Sequence, residues 1–316
     1  MRKGIVVFAV ICLVVANLLL VHCVLWNCSD KYAVKVQEVW ASFHHPKIKI
    51  FMTYYKPFRL PKKGEIVQPI QVGRAIETEP FMGGKLSDED RAWLHENMIG
   101  DDSGDNISAK NRSFDVLTAY YWVWKHYREI GNPEYIGFWA HSKILILTPT
   151  NKRLFNRLAP NYGLDEKKLL KLLEKHKVVT WAWTPYIYED GETIISSAYD
   201  NYRHDHVIED LDRMVDMVKE KYPEMTDAVH AVLYDIKPQP IWNYFVMEKE
   251  LAFDYFSKLF ALMFELEKNI GAEINARDYK QRRAFGFLAE RFFAIWLEYQ
   301  TRKGVVSPLF VPQQYL

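Results

Sequence analysis

Apolar positions along the chain fall into three regimes. The first is a continuous run that begins at Ile5 and ends at Trp26, broken only by Asn17 and His22. At helical rise such a run reaches roughly 33 Å, against a hydrocarbon core of roughly 30 Å. It ends in Val24-Leu25-Trp26-Asn27-Cys28, which offers no small-x-small cleavage site. The pattern therefore predicts an uncleaved membrane anchor over residues 1–28 and a single-pass membrane protein. Arg2 and Lys3 favour a cytoplasmic N-terminus, whereas Lys31, Lys35, Lys47 and Lys49 offset that bias. Both a bacterial inner-membrane placement and a Golgi type II placement fit. Residues 29–46 read as a stalk, helical from Asp30 to His45 with a partial stripe of Val34, Val36, Val39 and Trp40, ended by Pro46.

In the second regime, short apolar strands alternate with amphipathic segments. Lys47-Ile48-Lys49-Ile50-Phe51-Met52-Thr53 alternates and then turns continuously apolar, as a buried strand does. A loop with Pro57, Pro61 and Pro69 follows. Ser87-Asp88-Glu89-Asp90 carries a capping-box pattern that opens a short helix. Val116, Leu117, Tyr120, Val123, Trp124 and Tyr127 recur at helical spacing, predicting one helix over 113–127. Strand pieces are expected at 135–139 and 144–147, a helix at 165–176 and a strand at 178–188. The third regime is mainly helical: 206–221, 249–268 and 279–299, with one strand at 242–247. Together these predict an α/β domain over 47–303, a mainly parallel sheet covered by helices with a helical C-terminal part. Residues 304–316 read as a tail.

Composition narrows the chemistry. The net charge of +1 provides no field for nucleic acid. Cys12, Cys23 and Cys28 are the only cysteines, so the domain beyond them has neither thiol chemistry nor disulfides. Aromatics reach 15%, enough to build either a deep core or sugar-stacking surfaces. The densest polar stretch runs from Asp101 to Asn111, with Asp102, Asp105, Asn106 and Lys110 inside it. Such groups suit sugar hydroxyls or a divalent metal, and equally a turn with a helix cap. Tyr202-Arg203-His204-Asp205-His206 is either a structural cap or an acceptor-binding loop. Arg283, Glu290 and Arg291 flank an apolar stretch and read as a buried ion pair or as a phosphate contact. No GxGxxG, P-loop lysine, Gly-x-Ser-x-Gly or HExxH motif is present, which removes the best support for hydride transfer, P-loop phosphoryl transfer, serine hydrolysis and zincin chemistry.

The residues resemble a known family, the domain of unknown function of bacterial capsular and exopolysaccharide biosynthesis proteins regarded as glycosyltransferases. Lys49-Ile50-Phe51 with Lys56-Pro57 resembles its opening strand, and Pro69-Ile70-Gln71-Val72-Gly73 its next block. The run from Asp101 to Asn111, continuing through Leu117-Thr118 to Tyr121-Trp122-Val123-Trp124-Lys125, is its most specific signature. Tyr135-Ile136-Gly137-Phe138, Tyr222-Pro223 and Gly286-Phe287-Leu288-Ala289-Glu290-Arg291 resemble later blocks. Where the family carries His-Tyr-Arg-Arg, this chain has Ala140-His141-Ser142-Lys143; where it carries His-Lys-Pro, Tyr55-Lys56-Pro57.

The resemblance implies a glycosyltransferase A-like fold that moves a sugar from a nucleotide-sugar donor to a growing polysaccharide, glycan or lipid-linked acceptor. It implies catalytic roles for Asp102 and Asp105, on donor hydroxyls or as base, and for Lys143 against the leaving diphosphate, assisted by Arg283 or Arg291. Tyr54, Tyr55, Asn106, Lys110 and Asn111 would complete the donor pocket, with Tyr202 and His204 toward the acceptor. Asp105→Asn is then expected to abolish transfer. No Asp-x-Asp follows a hydrophobic strand, so no residue is assigned to a metal, although a divalent ion is compatible with the chemistry. The altered segments motivate an alternative, a catalytically degenerate, membrane-anchored glycan-binding or scaffold protein.

Overall fold

The computed structural model describes residues 47–61, 64–81, 84–147, 164–182, 186–187, 194–195, 197–240 and 242–316. The expected anchor and stalk lie outside them. Among the described residues, no helix is long and apolar enough to cross a membrane. The chain divides into two compact units. One comprises Met1–Lys47 and Tyr127–Pro133; its described part includes a turn in which Asn132 donates to Tyr127 O at 3.3 Å. The other, residues 48–126 and 134–316, holds the sheet and the candidate site.

The strands of the second unit are β1 (Ile48–Tyr54), β2 (Val67–Gln71), β3 (Ile99–Gly100), β4 (Tyr135–Ala140), β5 (Lys143–Leu145), β6 (Val178–Thr180), β7 (Tyr186–Ile187), β8 (Ile194–Ile195), β9 (Phe245–Glu248), β10 (Leu309–Phe310) and β11 (Gln313–Tyr315). The main sheet runs β10-β6-β9-β4-β1-β2-β3, with β5 and β11 attached beside β4. β1, β2, β3 and β4 are parallel; β9 runs against both β4 and β6. The carboxyl ends of β1, β2, β3, β4 and β6 and the amino end of β9 therefore share one edge.

β1 is central because it is apolar on both faces. Ile48, Ile50, Met52 and Tyr54 join a core with Leu94 of the helix Asp88–Asn97 and with Leu169 and Leu173 of the helix Glu166–His176. Phe51 points to the other face, as period-two alternation requires. There it meets Phe138 (ring centroids 5.7 Å apart), which meets Tyr120 of the helix Leu117–Lys125 at 3.8 Å. Phe245, Tyr255, Phe256, Phe293 and Trp296 extend this layer onto the helices Lys249–Asn275 and Ala284–Arg302. Much of the aromatic content is thus core.

The capping box forms as the sequence predicts, with Ser87 and Asp90 bonding reciprocally. Four other expectations are corrected. The single helix over 113–127 is two, Asn111–Phe114 and Leu117–Lys125, because Asp115 sits at φ 50°, ψ −133°, a region normally kept by glycine. Pro69 stands inside β2, not in a loop. Val72 donates to Tyr54 O and Gln71 O accepts from Asp101 N, so odd-numbered residues of β2 face β3. Pro69 looks to that side before β3 begins, and its missing N–H takes nothing from the β1–β2 ladder. The strand over 178–188 is reduced to β6, with β7 pairing β8 separately; the turn at 189–192 lies outside the described residues. Residues 304–316 are no mere tail, since β10 pairs β6 and β11 pairs β5.

Candidate functional site

Two cavities open at the shared strand edge, the position where α/β sheets characteristically bind ligands. The smaller, about 100 Å³, is lined by Tyr55 and Val72, just past β1 and β2, with Phe81, Asn111, Asp115, Tyr279 and Arg283. Its volume lies below the ~300 Å³ of a whole-ligand pocket. Gly73, at φ 66°, lets the chain turn beside it; a Cβ there would meet Asn111 at 2.7 Å. Asn111 donates to Asp115 O at 2.7 Å and to Thr118 Oγ1 at 3.2 Å. The larger cavity, about 580 Å³, is bounded by Lys143 from β5, Trp181 after β6, Trp242 and Tyr244 before β9, and Gln313 and Tyr315 of β11. Its remaining wall comes from Asn201, Asp205, His206, Arg283, Phe287, Glu290 and Arg291. Arg283 borders both cavities.

One helix face supplies the charged wall. Arg283, Phe287, Glu290 and Arg291 stand at i, i+4, i+7 and i+8, which brings them onto one side of the helix and its preceding turn. Arg283 pairs with Asp115 through Nε (3.1 Å) and Nη2, and its guanidinium lies 5.3 Å from the Phe287 ring. The Asp115 charge holds the Arg283 pKa above its ordinary value, against burial. A Cβ on Gly286 would stand 2.9 Å from Asp115 Cβ, so a glycine lets the strained Asp115 backbone pack directly on this helix. Arg291 is 2% exposed; it donates to Glu290 at 3.0 Å and to Asn201 Oδ1, over the Tyr202 ring at 5.2 Å. Burial lowers its pKa, with Glu290 opposing.

Glu290, which from sequence reads only as an ion-pair partner, is the carboxylate of this wall. Its side chain keeps 22% of its surface, on the cavity it lines. Burial pushes its carboxyl up to about 7, against the pull of Arg291, Arg283 and Lys143 and with that of Asp115. A carboxyl poised near neutrality is what general-base chemistry uses. Lys143 Nζ lies 3.8 Å from the Trp242 ring centroid, and Trp242 stacks on Trp181 at 4.5 Å. Burial lowers the Lys143 pKa while Glu290 raises it. His141 packs among Tyr54, Tyr55 and Phe58, with burial pushing it down to about 4, so it is a neutral core imidazole.

The structure brings together Tyr55, Asn111, Lys143, Arg283 and Arg291 around the cavities and leaves the other candidates outside them. Asp102 is exposed and lines neither cavity. Asp105 accepts from the Tyr121 hydroxyl at 2.9 Å and lies 3.9 Å from Lys125 on open surface. Asn106 ties its own turn, accepting from Ser108 N and donating to the carbonyls of Asp102 and Gly104. Lys110 pairs with Glu267 at 2.6 Å. The buried acid of this stretch is Asp101, which takes the N–H groups of Gly73 and Arg74 and the Ser108 hydroxyl. Through Asp101 the Asp/Asn-rich turn holds the β2 exit, an arrangement that fits the turn-and-cap reading of its composition. Asp105→Asn is accordingly expected to leave activity within about 3-fold of the parent, the scale of a solvated surface pair; a loss beyond 10-fold in initial rate would return Asp105 to the site.

Tyr54 is buried and donates to Arg59 O at 2.8 Å, away from both cavities. Tyr202 is buried behind Arg291. His204 is exposed and lies 3.1 Å from Asp205; the next imidazole, His206, takes the cavity position and stacks on Phe287 at 3.8 Å. The segment forms the end of the helix Ala198–Asp205, not a loop, which turns His204 outward. Among the described residues no cluster of three His, Cys, Asp or Glu could hold a metal ion.

A solved structure, the WbbM bifunctional glycosyltransferase in its apo form, superposes with a TM-score of 0.68 at 23% identity, over 85% of this chain and 45% of that one. The chain thus spans less than half of that protein's length and shares its fold. No curated protein matches. Residues 49–302 match the domain of unknown function DUF4422, and the chain belongs to that family.

Proposed function

We propose that the protein is a glycosyltransferase that moves a sugar from a nucleotide-sugar donor to a glycan acceptor hydroxyl. The observation that carries this reading is a carboxyl raised to about 7 in a 580 Å³ cavity that also holds Lys143 and Arg283. The fold shared with a protein titled a glycosyltransferase supports it.

The donor base lies in the smaller cavity beside Tyr55 and Val72, and the diphosphate crosses the Arg283 boundary into the larger cavity. Glu290 takes the proton of the acceptor hydroxyl as its oxygen bonds to the anomeric carbon. The carbon–oxygen bond to the diphosphate breaks on the opposite face, and the anomeric centre inverts. Lys143 and Arg283 stabilise the negative charge that develops on the leaving diphosphate. Arg291, nearly fully buried, is a positioning residue that holds Glu290 and Asn201.

Thermal unfolding of the wild-type chain across a panel of nucleotide sugars tests this. At 100-fold excess over Kd a true donor raises stability by about 2.7 kcal/mol, and Lys143→Met reduces the shift. Stabilisation by none of them would favour the degenerate scaffold reading.

A further inference from the structure

We infer that the C-terminal strand β11 completes the substrate site, with Gln313 and His206 recognising hydroxyls of a neutral sugar unit. The inference rests on the proposed transferase reading and names which groups of that site select the sugar.

Gln313 and His206 both line the larger cavity. Gln313 Oε1 and His206 Nδ1 are buried and have no hydrogen-bond partner among the described residues. An unpaired buried polar atom is unfavourable and rare in native proteins, and calls for an explanation. Both atoms sit on groups that turn about a single torsion, and a turn of amide or ring offers them to a ligand in the cavity.

The chemistry of the pair selects the ligand. Burial and the nearby arginine push His206 down to about 3, so it is a neutral imidazole with one donor and one acceptor nitrogen. The Gln313 amide also carries no charge. A hydroxyl donates and accepts, and so satisfies either group; a phosphate, acceptor-only, is served by Lys143 and Arg283 instead. The stacked Trp181–Trp242 pair and Tyr315 line the same cavity and add apolar ring edges to its wall.

β11 is held in place by its backbone, independently of the Gln313 side chain. It pairs antiparallel with β5, with Tyr315 opposite Lys143 and Gln313 opposite Leu145. Ile146 N donates to Pro312 O at 2.8 Å and Leu316 N to Ser142 O at 2.9 Å. β11 lies beyond the family-matched span of 49–302, so this wall comes from residues outside that match.

The test uses the full chain with Gln313→Met and, separately, His206→Phe. A purely structural role makes either variant less stable. Because the polar atoms are unpaired, both variants are expected to unfold at or above the wild-type temperature. Binding of the nucleoside diphosphate alone is expected to be unchanged, while the KM of the sugar-bearing substrate rises about 10-fold. A rise in donor KM, seen also in donor hydrolysis without acceptor, assigns the subsite to the donor sugar; a rise confined to acceptor KM assigns it to the acceptor. Unchanged sugar KM values in both variants, or an equal loss of nucleoside diphosphate binding, overturn the inference. A wild-type chain stabilised by no nucleotide sugar removes the transferase reading, a failure seen before any variant is made.

Discussion

Glu290→Gln is expected to lower glycosyl transfer by roughly 10²- to 10⁴-fold, the span of a lost general base, while nucleoside diphosphate binding persists or tightens. The amide keeps the shape of the side chain and an oxygen for the Arg291 hydrogen bond of 3.0 Å. It cannot accept a proton from an incoming hydroxyl. It also removes a negative charge beside Lys143 and Arg283, which favours an anionic ligand. The pH profile carries the same signature. With the free carboxyl at about 7, kcat/KM of the wild type is expected to rise with pH through that value and level above it. The stability term has the opposite sign. The folded pKa lies above the ordinary 4.5, so the native state binds more protons than the unfolded chain between pH 4.5 and about 7. In that window the Glu290 contribution to stability falls as pH rises, and Glu290→Gln flattens it. Rates and unfolding curves for both chains from pH 5 to 8 check the two signs together.

Arg283→Met is expected to produce the second-largest loss, because one side chain serves three purposes. It borders both cavities, pairs with Asp115 and packs on Phe287. Loss of a preorganised cation on the leaving group lowers kcat by roughly 10²- to 10³-fold. Asp115 then keeps its charge and its backbone at φ 50° without the guanidinium that holds it there. Breaking a fully buried pair costs about 3–5 kcal/mol. This pair keeps 29% and 23% of its side-chain surfaces, so solvent screening reduces the expected loss to about 1–3 kcal/mol. Arg283→Lys, retaining charge but not the two-nitrogen grip, is expected to recover stability more than rate. Denaturant unfolding and single-turnover rates separate the two effects.

The fold was largely legible because its periodicities are strong. β1 reads as a buried strand, and the helices ending at His176, Lys221 and Arg302 follow amphipathic or apolar stretches within a few residues of their observed bounds. β2 and β10 were hidden by prolines, Pro69 and Pro308, whose local preference gave way to tertiary pairing. The break at Asp115 was hidden because its cause is long-range, a contact with Gly286 and Arg283 more than 160 positions away in sequence.

The site was half legible. Lys143 came from the resemblance, as the charge left in the altered segment, and Arg283 from its place beside an apolar stretch. Asp102 and Asp105 stood out by density, yet density of Asp and Asn marks turns as strongly as ligand sites. Glu290 was obscured by its neighbour Arg291, with which it reads as a self-satisfied pair. The available signal was the spacing of Arg283, Glu290 and Arg291, charged groups on one face of a helix that is largely apolar from Ala284 to Leu297.

The complex of the wild-type chain with a nucleoside diphosphate tests the central claim most directly. The diphosphate is expected against Lys143 Nζ and the Arg283 guanidinium, with Glu290 facing the space beyond it and the base beside Tyr55. Density for the diphosphate on the surface turn of Asp102 and Asp105, with the larger cavity unfilled, would contradict it.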